Sequence, residues 1–95
     1  MSNTTGIKNT ANGFQTLENN TSGGDNTGIG STALAHNTTG GGNTATGFAA
    51  LFTNTTGANN TATGLEALVA NTIGNANTAT GAAHLKATRA VPQIP

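Results

Sequence analysis

The chain has no cysteine, tryptophan or tyrosine, only two prolines, and three aromatic residues, all phenylalanine. Without cysteine there are no disulfides, thiolate metal sites or thiol nucleophiles. Charged residues make up 6% of the chain, against about 25% in an ordinary globular domain. Three basic residues balance three acidic ones, so there is no basic field to draw in nucleic acid or an anionic membrane surface. No apolar run approaches the roughly 20 residues that a membrane span requires. The opening residues MSNTTGIK carry no hydrophobic stretch of a secretion signal. Neither nucleic-acid binding nor membrane insertion is expected, and the length of 95 residues allows at most one ordinary domain.

What the chain does have is asparagine, threonine, glycine and alanine in a fixed order. Few large apolar groups would suit disorder, but disorder goes with high net charge and with no period. Here an Asn-Thr pair recurs at Asn9, Asn26, Asn43, Asn60 and Asn77, each step being 17 residues without insertion or deletion. Counting that asparagine as residue zero of its unit, glycine stands at offset 4 (Gly13, Gly30, Gly47, Gly64, Gly81) and leucine at offset 8 (Leu17, Leu34, Leu51, Leu68, Leu85). A second asparagine follows at Asn20, Asn37, Asn54 and Asn71, with glycine three residues on at Gly23, Gly40, Gly57 and Gly74. This is a repeat architecture. Residues 1–8 hold the tail of a partial N-terminal repeat, residues 9–89 five units, and residues 90–95 a C-terminal cap or linker. Pro92 and Pro95 lack the N–H that further stacking needs, and Lys86 and Arg89 put charge near that edge.

Each unit predicts its own local structure. "NTATG" and "NTTG" combine β-branched threonine with a terminal glycine, as in a short strand ending in a turn. Between them the apolar residues at offsets 5 and 8, such as Phe14 and Leu17 or Phe48 and Leu51, lie three apart. That spacing predicts a short helical turn per unit, with a third short strand as the lesser alternative. Seventeen residues are too few for a helix pair, whereas one coil of a β-solenoid fits, its strands stacked about 4.8 Å apart. The expected fold is all-β, a β-solenoid or β-roll of five 17-residue coils. Asparagine ladders would run along its corners, glycines would supply positive φ, and Leu17, Leu34, Leu51, Leu68, Leu85, Phe14 and Phe48 would form the core. A core so small calls for help from disulfide, metal or self-association. Only the last is open to this composition, and a homotrimer packing its apolar strip on a three-fold axis is the simplest form.

The tandem units "NTATGFxALxxNTTGxN" resemble the repeats of bacterial and phage trimeric surface and tail fibres, in which such runs precede an intramolecular chaperone domain. More distantly they are similar to the heads of trimeric autotransporter adhesins. The resemblance spans residues 3–88. It implies a trimeric, extracellular or virion-borne segment that presents a binding surface for attachment to a host or to cell-surface glycan. The chain departs from the fibre pattern in having no chaperone segment, no export signal, and Phe or Leu where the fibres often carry Tyr.

Chemistry is sparse. Glu18, Asp25 and Glu66 fall at three different places in the unit, so they form no repeated acid–base pair, and His36 and His84 also differ in position. "GGDNTGIG" at residues 23–30 lacks the Lys-Ser/Thr of a phosphate loop and the spaced aspartates of a calcium repeat. No catalysis, metal or cofactor is expected. One constellation supports a rival reading. Thr44 and Thr46, Thr61 and Thr63, and Thr78 and Thr80 form T-A-T triplets on three successive coils. Residues two apart on a strand face one side, so stacking builds a double rank of threonines. That rank is similar to the ice-binding face of insect antifreeze solenoids, which makes these six residues the candidate ligand face. Asn12 and Ile29 break the rank in the first two coils.

Overall fold

The computed structural model describes residues 6–83; Leu85, His84 and the expected cap at 90–95 lie outside them. Five three-residue strands follow one another: β1 (Thr10–Asn12), β2 (Thr27–Ile29), β3 (Thr44–Thr46), β4 (Thr61–Thr63) and β5 (Thr78–Thr80). They pair in parallel, in chain order, as one sheet. The register is the sequence period itself, Thr10 beside Thr27, Thr27 beside Thr44, Thr44 beside Thr61 and Thr61 beside Thr78. The fold is therefore a β-solenoid, each coil laid on the last. Within each of β3, β4 and β5 the central alanine is buried and its flanking threonines face outward, as strand alternation requires.

Glycine ends every strand. Gly13, Gly30, Gly47, Gly64 and Gly81 have φ between 117° and 138°, where a side chain is strained. A Cβ on Gly30 would also lie 2.8 Å from the carbonyl carbon of Gly47 in the next coil. The other glycine column differs: Gly23, Gly40 and Gly57 do not have positive φ. There a Cβ would run into the carbonyl oxygen of the next glycine in the column, so close stacking of coils, rather than φ, demands glycine.

The expected helical turn is not formed, and neither is a third strand. Instead, three overlapping turns follow each strand. In the third coil Ala50 N–H donates to Gly47 O, Phe52 N–H to Ala49 O and Asn54 N–H to Leu51 O, each at 3.2 Å. The residues at offsets 6 and 8 take positive φ, for example Ala49 at 59° and Leu51 at 53°. A helix keeps one sign of φ throughout, whereas this segment alternates sign. The alternation frees other N–H groups to bond between coils: Leu51 N–H donates to Ala67 O at 2.9 Å and Ala49 N–H to Ser31 O at 2.9 Å.

This geometry also corrects the predicted core. Leu17, Leu34, Leu51 and Leu68 are fully buried, but Phe14 and Phe48 are 72% and 51% exposed. Three residues apart means one face only on a helix; here the changes in φ send offset 5 outward and offset 8 inward. The interior is instead a column of leucines, columns of alanines and two columns of asparagine, with Asn20, Asn26, Asn37, Asn43, Asn54, Asn60, Asn71 and Asn77 all buried.

Burial of so many amides is tolerable only if they are hydrogen-bonded, and among the described residues all are except the side-chain oxygen of Asn77. Along one column Asn37 Nδ2 donates to Asn20 Oδ1, Asn54 to Asn37 and Asn71 to Asn54, at 2.8, 2.8 and 2.9 Å. Along the other, the oxygens of Asn9, Asn26, Asn43 and Asn60 each accept the backbone N–H of the next asparagine at 2.9–3.0 Å. The columns meet at the corner glycines: Gly57 O accepts from Asn43 Nδ2 at 2.8 Å and from Asn54 Nδ2 at 3.0 Å. Both lone pairs of that carbonyl are used.

One irregularity in the repeat has a packing cause. Thr16 stands where later coils have Ala33, Ala50 and Ala67, and Gly28 stands where the other strands have alanine. A Cβ on Gly28 would lie 2.6 Å from the Thr16 methyl. The larger residue in coil one is matched by a smaller one in coil two. Thr16 Oγ1 is satisfied by donating to Gly30 O at 2.7 Å.

Candidate functional site

The six threonines singled out by sequence share one face. The strands bring them into register, Thr44 beside Thr61 beside Thr78 and Thr46 beside Thr63 beside Thr80. Thr61, Thr63, Thr78 and Thr80 are exposed, and Thr44 and Thr46 half-buried. Coils repeat about every 4.8 Å and alternate strand residues about every 6.6 Å, giving a two-dimensional hydroxyl array. Thr10 and Thr27 extend the first rank across all five strands. The sequence carries their signal, since every Asn of the first set is followed by threonine. The second rank begins with Asn12 and Ile29.

A second threonine column shows why an array by itself is weak evidence. Thr21, Thr38 and Thr55 are also stacked, yet each Oγ1 donates to the carbonyl of the next threonine in the column, at 3.1, 3.3 and 3.3 Å. Those hydroxyls hold coils together. By contrast, no hydrogen bond among the described residues engages the hydroxyls of Thr44, Thr46, Thr61, Thr63 and Thr78. They are available to donate and accept outward.

A second outward feature was missed because its residues were assigned to the core. Phe14, Phe48 and Leu65 stand at offset 5 in coils one, three and four, and are 72%, 51% and 53% exposed. Coil two has Ser31 there. It carries Ile29, 43% exposed, on the other side of the Gly30 corner. Coils one, three and four thus set a large apolar side chain just past the strand-ending glycine, an uncharged ridge that borders the threonine ranks, while Ile29 stands within the second rank. Sequence spacing carries no signal for it, because the alternating sign of φ at offsets 6–8 belongs to neither helix nor strand.

Titratable groups do not converge. Among the described residues there is no group of three or more His, Cys, Asp or Glu side chains that could hold a metal. His36 packs edge-on against Phe52, ring centroids 4.6 Å apart, with Nδ1 3.0 Å from Phe52 O, so its surroundings are those of a packed surface residue. No described helix is long and apolar enough to cross a membrane. Comparison with protein-family models, with curated proteins and with solved structures finds no match to this chain. The function must be read from the surface itself.

Proposed function

We propose that the chain is a non-catalytic structural and adhesive segment of a trimeric surface or tail fibre, extracellular or virion-borne, which extends and presents a binding surface for attachment to a host or cell. The observation that carries this reading is the apolar column of Phe14, Phe48 and Leu65. Large apolar side chains repeated in one column mark a protein contact; Ile7 and Ile73, also exposed, stand at other offsets. Packing the ridges of three copies about one axis would cover them and leave the threonine ranks outward. Attachment would then use the open hydroxyls, a cell-surface glycan being the ligand whose own hydroxyls they complement.

Light scattering tests the assembly. The chain should have three times the mass of one copy, and Phe14→Ser with Phe48→Ser and Leu65→Ser should reduce it to a folded monomer. A parent chain that is monomeric at tens of micromolar would remove the fibre reading.

A second reading, ice binding, is favoured by one observation: among the described residues the hydroxyls of Thr44, Thr46, Thr61, Thr63 and Thr78 are unengaged, uncharged and spaced by the backbone lattice. It predicts thermal hysteresis that is lost on replacing Thr61 and Thr63, whereas glycan-array binding without hysteresis decides for attachment.

A further inference from the structure

The period that builds the asparagine columns also writes a modification signal into the chain. Asn-x-Ser/Thr is the acceptor sequence for Asn-linked sugar, and it occurs at Asn3, Asn19, Asn20, Asn37, Asn54 and Asn59. Asn3 lies outside the described residues, and the fold sorts the other five into two kinds.

Asn20, Asn37 and Asn54 are interior, each 0% exposed. Asn37 Nδ2 donates both its hydrogens, to Asn20 Oδ1 at 2.8 Å and to Gly40 O at 2.9 Å. Asn54 Nδ2 does the same, to Asn37 Oδ1 at 2.8 Å and to Gly57 O at 3.0 Å. An Asn-linked sugar replaces one of those hydrogens and needs space that the stacked coils do not have. Even one carbon added at Gly40 would lie 2.6 Å from Asn37 Oδ1 and 3.0 Å from Asn54 Nδ2. The modified side chain would leave a buried acceptor unsatisfied and force a ring between coils, both incompatible with the stack. Asn19 and Asn59 are the opposite case. Both are exposed, and among the described residues no hydrogen bond engages either carboxamide. A sugar on either one extends into solvent.

We propose that Asn19 and Asn59 are the described positions at which the folded chain carries Asn-linked sugar, and that the same modification of Asn20, Asn37 or Asn54 before the coils close holds the chain unfolded. In the transfer, the asparagine Nδ2 attacks C1 of a glycosyl donor activated as a pyrophosphate ester. The N–C1 bond forms, the C1–O bond to phosphate breaks, the pyrophosphate leaves with its carrier, and the amide proton passes to a base of the transferase. Closed coils put the interior amides out of reach. Folding and transfer therefore compete for the same three side chains.

The interior signals can be removed without touching an asparagine of the column, because their third residues, Ser22, Thr39 and Thr56, are exposed. Asn19 keeps its own signal through Thr21. The full chain, with Asn3→Gln and a secretion leader in front, is expressed in eukaryotic cells that transfer sugar to Asn-x-Thr during synthesis. The parent sequence should stay in the cell with sugar mapped to the interior asparagines. Ser22→Ala with Thr39→Ala and Thr56→Ala should raise the yield of protease-resistant chain in the medium several-fold, with sugar on Asn19 and Asn59 by mass spectrometry. Blocking the transferase in cells making the parent should raise that yield equally, with no substitution at 22, 39 or 56. Protease-resistant parent secreted with sugar on Asn37 or Asn54 overturns the proposal, as does a parent yield that blocking the transferase leaves unchanged. A triple variant that gains only when the transferase is blocked, or that is secreted without sugar on Asn19 and Asn59, overturns the assignment of the two surface sites.

Discussion

At the scale of single residues the solenoid depends on backbone conformations that most side chains avoid. Gln15 and Leu51 hold φ of 59° and 53°, in the left-handed region that costs a residue with a Cβ about 1–2 kcal/mol. The two positions answer oppositely to glycine. Gln15 is exposed, so Gln15→Gly should relieve strain at little loss and stabilise by about 0.5–1 kcal/mol. Leu51 is fully buried, so Leu51→Gly should destabilise by about 3 kcal/mol or more through the cavity it leaves. Urea denaturation of both variants checks the pair; equal signs would mean that strain does not set the stability at offset 6. The Thr16–Gly28 match gives a sharper test of packing. Gly28→Ala should cost about 1–3 kcal/mol because the new methyl overlaps the Thr16 methyl. Adding Thr16→Ala should restore most of that loss, less about 1 kcal/mol for the hydrogen bond to Gly30 O. Additive effects in the double-mutant cycle would refute the compensation.

At the scale of elements, the strands and the asparagine columns were legible in the sequence and the turns were not. A strand needs only alternation and β-branching, and both are written in "NTATG". The columns follow from the period, since identical residues must stack. The segment at offsets 5–8 was misread because helix propensity and three-residue spacing describe a segment on its own. Its conformation is set by bonds to the coils on either side, such as Leu51 N–H to Ala67 O, and no single-segment propensity contains them. The same error hid the ridge, because Phe14 could be placed inward only on a helix. The candidate threonine face was legible from its triplets, but which threonines have unengaged hydroxyls depended on the carbonyls near them. The two asparagine columns carry different loads. Asn43→Ala removes the acceptor of a buried backbone N–H, that of Asn60, along with the side-chain bond to Gly57 O. Asn54→Ala removes side-chain bonds only. Loss of stability should be on the order of 3 kcal/mol for the first and about 1–2 kcal/mol for the second. Hydrogen exchange at the Asn60 amide should accelerate in the first variant alone.

At the scale of the molecule, the strands pair only with their sequence neighbours, so stability is a sum over coils and junctions. Removal of residues 43–59, one whole unit, joins coil two to coil four through the same bonds that each now makes to coil three. That variant should still unfold cooperatively, with a urea m-value lowered in proportion to the surface lost. Removal of residues 43–58, one residue fewer, shifts every later asparagine off its column and should abolish the cooperative transition. Circular dichroism during urea titration separates the two, and similar curves for both would contradict a register fixed by the asparagines.

The asparagine columns also give the solenoid an electrical direction. Every amide-to-amide bond runs the same way, from the Nδ2 of a later coil to the Oδ1 of an earlier one. Amide dipoles of about 3.5 D each therefore add along the axis, with the positive end toward the first coil. Zero formal net charge does not remove this moment, to which the separated charges of Lys8, Glu18, Asp25 and Glu66 add their own. Taken alone, these columns make copies placed side by side and pointing the same way repel slightly, which a contact along the ridge would have to overcome, and copies placed end to end attract.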